Sequence, residues 1–236
     1  MKRLFFAAIV LLSACTMNMQ TNKQISDTIK SELKPQSVDI MDGAEANVGG
    51  FNGSKKEITL AYTTHAPSGK LELLNAGYRS ANTAYKLAQA AHDKLPDVFR
   101  IVIKSGANVA ATLDYKSAYL PKNKVYEQQV TRFLAVVKSK QYQNLQPLME
   151  PGLDIGSIIN VFQRADATIG GVQAYQLVAL QHTKGTRKAD GKPIDIIQAW
   201  AVIRGSSKSD QGVMLFVFKP DAAVISSVYI NPKDDK

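Results

Sequence analysis

Apolar residues four apart at Ile25, Ile29 and Leu33 predict a helix over 24–33. Weak alternation over 36–41 predicts a strand, and the Gly49-Gly50-Phe51-Asn52-Gly53 run predicts a turn after it. Over 57–64 the alternation is clear, with Ile58, Leu60 and Tyr62 on one side of an extended chain. Leu74, Tyr78, Ala81, Tyr85 and Ala88 recur at steps of four and three, so they line one stripe of a helix over 71–94. Ser68 or Gly69 can start that helix and Pro96 ends it. Alternating segments at 98–104 and 108–115 flank Ser105-Gly106-Ala107 and predict a hairpin. Residues 22–120 therefore read as a small α+β unit.

Pro121 and the polar Lys122-Asn123-Lys124 mark a boundary. Beyond it, Tyr126, Val130, Phe133, Leu134 and Val137 predict an amphipathic helix over 124–138. A shorter piece carries Tyr142, Leu145 and Leu148 and stops at Pro151-Gly152; Ile155, Ile158, Ile159 and Phe162 indicate a third helical piece. Four strands follow at 173–182, 194–204, 213–218 and 223–230, with Asp190-Gly191 and Asp210-Gln211-Gly212 as turns. Consecutive antiparallel hairpins are the economical topology. The fold class is α+β, with a second domain over 122–232 in which helices precede an antiparallel meander. Over 122–230 this order resembles the cone-shaped fold of the NTF2-like superfamily. The resemblance implies a curved sheet closed by helices. That superfamily holds enzymes, ligand binders and noncatalytic assembly domains, so the likeness implies no single activity.

Ahead of both units, Met1-Lys2-Arg3 precedes nine apolar residues, 4–12, and Ser13 and Ala14 lead into Cys15. A basic start, a short apolar run and small residues before a cut are the parts of an export signal. The run is far shorter than the ~20 residues a helix needs to cross a bilayer. Leu12-Ser13-Ala14-Cys15 resembles the lipobox of bacterial lipoproteins. The resemblance implies loss of the signal peptide 1–14, diacylglycerol on the Cys15 sulfur and an acyl chain on its amino group, with 15–21 as a lipidated tether. Each buried methylene contributes about 0.8 kcal/mol, so several chains hold firmly where one holds marginally. In this class an aspartate after the cysteine favours the inner membrane, and Thr16 stands there instead. The implied address is the periplasmic face of the outer membrane, with the inner membrane or the cell surface as alternatives.

Charge adds a second candidate contact. The 236 residues carry a formal +9, and without Lys2 and Arg3 there are 27 basic against 20 acidic residues. Lys116, Lys122, Lys124, Arg132, Lys138 and Lys140 gather against Glu127 alone, and Lys184, Arg187, Lys188 and Lys192 flank Asp190. Such stretches can attract anionic headgroups or an anionic envelope polymer, and they are equally the composition of a solvated face. No stacking-aromatic or glycine-rich recognition motif accompanies them, so nucleic acid is not an expected partner. Cys15 is the only cysteine, which leaves no intrachain disulfide. His65, His92 and His182 lie far apart and show no metal-ligand spacing. Gly49–Gly53 lacks the spacing and lysine of a phosphate loop, and no Gly-x-Ser-x-Gly elbow occurs. No metal or cofactor is expected.

Tyr142, His182 and Asp195 remain as pocket candidates. Strict alternation puts Tyr175, Leu177 and Ala179 on one face of their strand and Ala174, Gln176, Val178 and His182 on the other. On the next strand Ile194, Ile196, Gln198, Trp200, Val202 and Arg204 share a face, with Asp195 opposite. His182 and Asp195 can do acid/base work only if the register joins them. The same two residues border the 184–192 loop and can simply cap a solvated hairpin end. Trp200 reads as a core aromatic, and Tyr78 with Tyr85 as packing. The expected function is a noncatalytic envelope lipoprotein that binds a protein or other envelope component. The alternative is an enzyme or small-ligand carrier that uses the cavity of the C-terminal cone.

Overall fold

Thr21, Ile25 and Ile29 form one buried stripe at steps of four, on a helix, α1, that covers residues 19–33. The structure is a computed structural model that describes residues 19–46, 52–186, 191–206, 211–220 and 222–230. Cys15, the signal region, residues 49–51 of the first expected turn, and Asp190 and Asp210 of the later ones lie outside the described residues. Residues 19–21, expected as tether, are already helical. Thr21 fills a core position that a search for apolar residues passes over. The chain divides between Leu120 and Pro121 into two mixed α+β units, each with a four-stranded sheet.

In the first unit β1 (Ser37–Ala46) and β2 (Asn52–Tyr62) pair antiparallel, and α2 (Lys70–Ala90) leads to β3 (Val98–Ser105), which runs parallel to β2. β4 (Asn108–Lys116) then returns antiparallel to β3, which gives the order β1-β2-β3-β4. Ile58, Leu60, Phe99, Ile101 and Ile103, all at 0 % exposure, fill the face that the helices cover. Each such side chain contributes roughly 1.5–3 kcal/mol by leaving water. α1 lies over β1 and β2, where the Ser26 hydroxyl donates to the Val38 carbonyl at 3.3 Å and the Tyr62 hydroxyl to the Leu33 carbonyl at 3.4 Å. α2 lies against β3 and β4, and at Gly77 it approaches so closely that Leu113 and Tyr115 occupy the space a Cβ would take.

Two boundaries differ from expectation for physical reasons. β2 begins at Asn52, not at 57, because the inward position before Ile58 is taken by a lysine, which hides the alternation. α2 ends at Ala90, not at 94, in a Schellman turn: the Asp93 N–H donates to the Ala88 carbonyl at 2.9 Å and the His92 N–H to the Gln89 carbonyl at 3.1 Å. His92, at φ 57°, takes the left-handed position that glycine usually fills.

The second unit runs α3 (Asn123–Lys138), a 3-10 stretch (Tyr142–Leu148), α4 (Ile155–Thr168), and then β5 (Ala174–Thr186), β6 (Pro193–Arg204), β7 (Gln211–Phe218) and β8 (Ile225–Ile230). The four strands form an antiparallel meander in chain order. Ala199 and Ala201 on β6 are fully buried, and the neighbouring aromatics supply the bulk. The Phe133 ring of α3 sits 5.2 Å from Phe162 of α4 and 5.2 Å from Phe216 of β7, both edge to face, and Tyr126 sits 5.2 Å from Phe218. Such pairs add about 0.5–1.5 kcal/mol each beyond their buried area. Among the described residues no helix is long and apolar enough to cross a membrane.

Candidate functional site

A bulge on β5 decides where His182 faces. Leu177 pairs with Ala201 and Ala179 with Trp200, so Val178 has no partner and the alternation shifts by one. Tyr175 and Leu177 therefore share a face with Leu180 and His182, not with Ala179, which corrects the strict alternation expected from the sequence. His182 lies opposite Ile197 and Asp195 opposite Lys184, so the two candidates share a face two residues apart along the strands. Each engages a neighbour. His182 Nε2 lies 3.0 Å from Asn123 Oδ1 at the start of α3, with its ring edge-on to Tyr126 at 6.5 Å. Asp195 holds Lys184 at 2.7 Å, and both side chains are more than half exposed, at 56 % and 68 %. Trp200 is buried, on the face opposite Ile197, Ala199, Ala201 and Ile203.

Tyr142 belongs to another locality. It follows the end of α3, whereas Asn123 begins it, and a helix of 16 residues spans about 24 Å. The Tyr142 hydroxyl is buried without a hydrogen-bond partner among the described residues. Burial, and after it the charge of Asp166, push its pKa up. Asp166 itself is buried and structural: one carboxylate oxygen accepts the Val172 N–H at 2.8 Å and the other lies 3.4 Å from Lys140 Nζ. Tyr142 thus stands apart from the His182 and Asp195 pair.

The first unit carries a groove of about 420 Å³ that no local sequence pattern announced. One wall is the end of β1 and the start of β2; the other is the segment after α2, residues 92–96. Asp97 ties the walls together by accepting the Ser54 N–H at 2.7 Å and the Ser54 hydroxyl at 3.0 Å. Those two bonds, the backbone one first, hold its carboxyl below the usual range. Lys56, 4 % exposed, contributes to the groove with its ammonium 3.1 Å from Asp42 and 2.6 Å from Asn22 Oδ1 of α1. Lys55 is engaged by Glu57 at 3.3 Å. The Schellman turn then brings in His92, Asp93 and Lys94. The Asp93 Oδ2 atom is buried without a hydrogen-bond partner among the described residues, and the Lys94 charge also helps hold the Asp97 carboxyl low. Such a groove is equipped to hold charges of both signs. The only hint in the sequence is the dense run His92-Asp93-Lys94 at the end of a predicted helix.

Among the described residues no three His, Cys, Asp or Glu side chains stand close enough to hold a metal ion. Comparisons of the chain with protein-family models, with curated proteins and with solved structures find no match.

Proposed function

We propose that this chain is a lipid-anchored protein of the bacterial envelope that binds a protein or another envelope component, without catalysis, from the periplasmic side of the outer membrane. The observation that carries the reading is Leu12-Ser13-Ala14-Cys15 behind a basic start and a short apolar run. The separation of Tyr142 from His182 and Asp195 supports a noncatalytic role, since acid/base catalysis needs its groups within hydrogen-bond reach of one reacting centre. We read the second unit as NTF2-like. Helices ahead of a four-strand antiparallel meander support that reading. The Phe133 ring packs edge to face on both Phe162 and Phe216, joining α3, α4 and β7, and this aromatic packing favours a binding or assembly role over a carrier.

Replacement of Cys15 by Ser tests the anchor. The parent should fractionate with the outer membrane and carry the added mass of its acyl chains on an N-terminal cysteine. The variant should lose both properties. Identical membrane attachment and an unmodified N-terminus in the parent would refute the proposal. Crosslinking of the lipidated protein in its own envelope should yield one dominant partner.

A further inference from the structure

The two sheets differ in what they show on the side away from their helices. On the first, Glu57 of β2, Arg100 of β3 and Asp114 of β4 stand abreast in register, with Arg100 forked onto Asp114 at 2.7 and 2.8 Å. Asp39 and Lys104 share that face, which is the charged outer side expected of a half-solvated sheet. The second sheet breaks the pattern. Phe216 and Phe218 turn toward the rings of α3, and the register puts Ile196, Trp200, Val202, Leu215, Val217 and Tyr229 on the opposite side. Arg204, at one end, is the only charged side chain on that outward face among the described residues. Trp200 and Leu215 in its middle are buried, Ile196, Val202 and Val217 around them are half-buried, and Tyr229 on the edge strand is 45 % exposed. A broad apolar face without charge has the composition of an interface core.

Charge, polar chemistry and area together select a second copy of this chain as the occupant. The chain carries a formal +9, so two copies repel wherever basic surfaces meet, and this face brings almost none of that charge into contact. Its polar groups are neutral: Gln181 and Gln198 are cross-strand partners, and Thr183 and Ser227 lie on the same side. Amides and hydroxyls both donate and accept, so they can satisfy the same groups of a second copy, whereas lipid tails would leave them unpaired. The strands hold 13, 12, 8 and 6 residues. At about 4.8 Å between strands and 3.4 Å per residue they present a face of roughly 600 Å². Two stacked faces would bury roughly 1,200 Å², the lower end for a specific protein interface. We propose that the outward face of the second sheet is a self-association surface, on which two copies stack sheet on sheet about a two-fold axis passing near Trp200 and Leu215. Stacked sheets sit about 10 Å apart with strands within about 30° of one another, so each copy covers the other's Ile196, Val202 and Val217. The proposal rests on the binding role proposed above and names its partner; it does not depend on the lipid anchor.

The test is native mass spectrometry of the mature full chain released from nonionic detergent, from about 1 to 100 μM, with a dimer of roughly micromolar Kd expected for an interface of this size. Val202→Lys and Val202→Asp should each weaken the dimer at least tenfold, because the two-fold brings like charges to one interface. An equimolar mixture of the two variants should restore a mixed dimer, which a misfolded chain could not do. Thr112→Lys, on the exposed outward side of the first sheet, should leave the dimer as it is. A chain that stays monomeric at about 100 μM overturns the proposal. So does a dimer that Val202→Lys and Thr112→Lys affect equally. If Val202→Lys instead removes a crosslink to a different envelope protein, or binding to neutral phosphatidylcholine vesicles, the face belongs to that partner and self-association is refuted. The same spectra weigh the N-terminus. An acylated monomer keeps the anchor and overturns the dimer; an unacylated dimer keeps the face and overturns the anchor.

Discussion

Gly205, just past the end of β6, is a position where one added methyl group should do heavy damage. A Cβ there would lie 1.8 Å from the Ile169 carbonyl oxygen and 2.8 Å from its carbon. The obstacle is backbone, so no side-chain rotation relieves it. An ordinary C···O contact is about 3.3 Å, so the strand end and the residue after α4 would have to part by roughly 1.5 Å. The same carbonyl accepts the Ser206 N–H at 3.1 Å, and that bond would be lost in the separation. Overpacking costs about 1–3 kcal/mol, and an unpaired N–H about 1–3 kcal/mol. Gly205→Ala should therefore destabilise the second unit by about 3 kcal/mol. With a urea slope near 2 kcal/mol/M the midpoint should fall by ~1.5 M. Trp200, the only tryptophan, lies in this unit, and its emission reads the transition. Gly156→Ala in α4 is the control, because its Cβ meets only the Asp154 side chain at 3.3 Å and alanine suits a helix. A Gly205→Ala midpoint equal to that of the control would refute the clash as the reason for glycine.

Tyr115→Phe removes a buried hydroxyl that has no hydrogen-bond partner among the described residues, and should stabilise the first unit by about 1 kcal/mol. Burial also raises the Tyr115 pKa above its ordinary 10.0, so the fold favours the neutral phenol. Its contribution is complete below that pH and declines as pH rises past it; thermal melts near pH 8 and pH 11 should show a shallower alkaline loss for the variant, and parallel losses would contradict the assignment. Asp154 caps α4 by accepting the Ser157 hydroxyl and, at 3.1 Å, the Ser157 N–H, bonds that lower its pKa, the hydroxyl first. Its contribution is present above the unfolded value of 3.8 and lost as pH falls through the lower folded one, so Asp154→Ala should destabilise at neutral pH and flatten the acid limb of the stability profile.

Periodicity located most of the elements because most inward positions are apolar. Val130, Phe133, Leu134 and Val137 on α3, and Ile58 and Leu60 on β2, are inward wherever a helical or alternating count puts them. The count faltered where a polar side chain goes inward, at Thr21 and at Lys56, whose burial depends on the distant partners Asn22 and Asp42. It also faltered at Val178, where an extra residue reverses the faces of everything after it, His182 included. A bulge is set by register against the neighbouring strand, and nothing in Leu177-Val178-Ala179 marks it. The groove was hidden for the same reason at larger scale. Residues near 42, 55 and 93 meet only because α2 carries the chain from β2 to a parallel β3.

That parallel seam also sets an order of assembly. In the second unit every strand pairs with the one before it, so hairpin after hairpin can close in about 1–10 μs each. The first sheet can form its β1–β2 and β3–β4 hairpins as quickly, yet they cannot join until Ser54 finds Asp97, 43 residues away, with α2 already folded back. Loop-closure entropy must be overcome before that contact is rewarded, which makes non-local pairing slow. The first sheet should therefore complete later than the second, and its two waiting hairpins are where a chaperone would have the longest time to act.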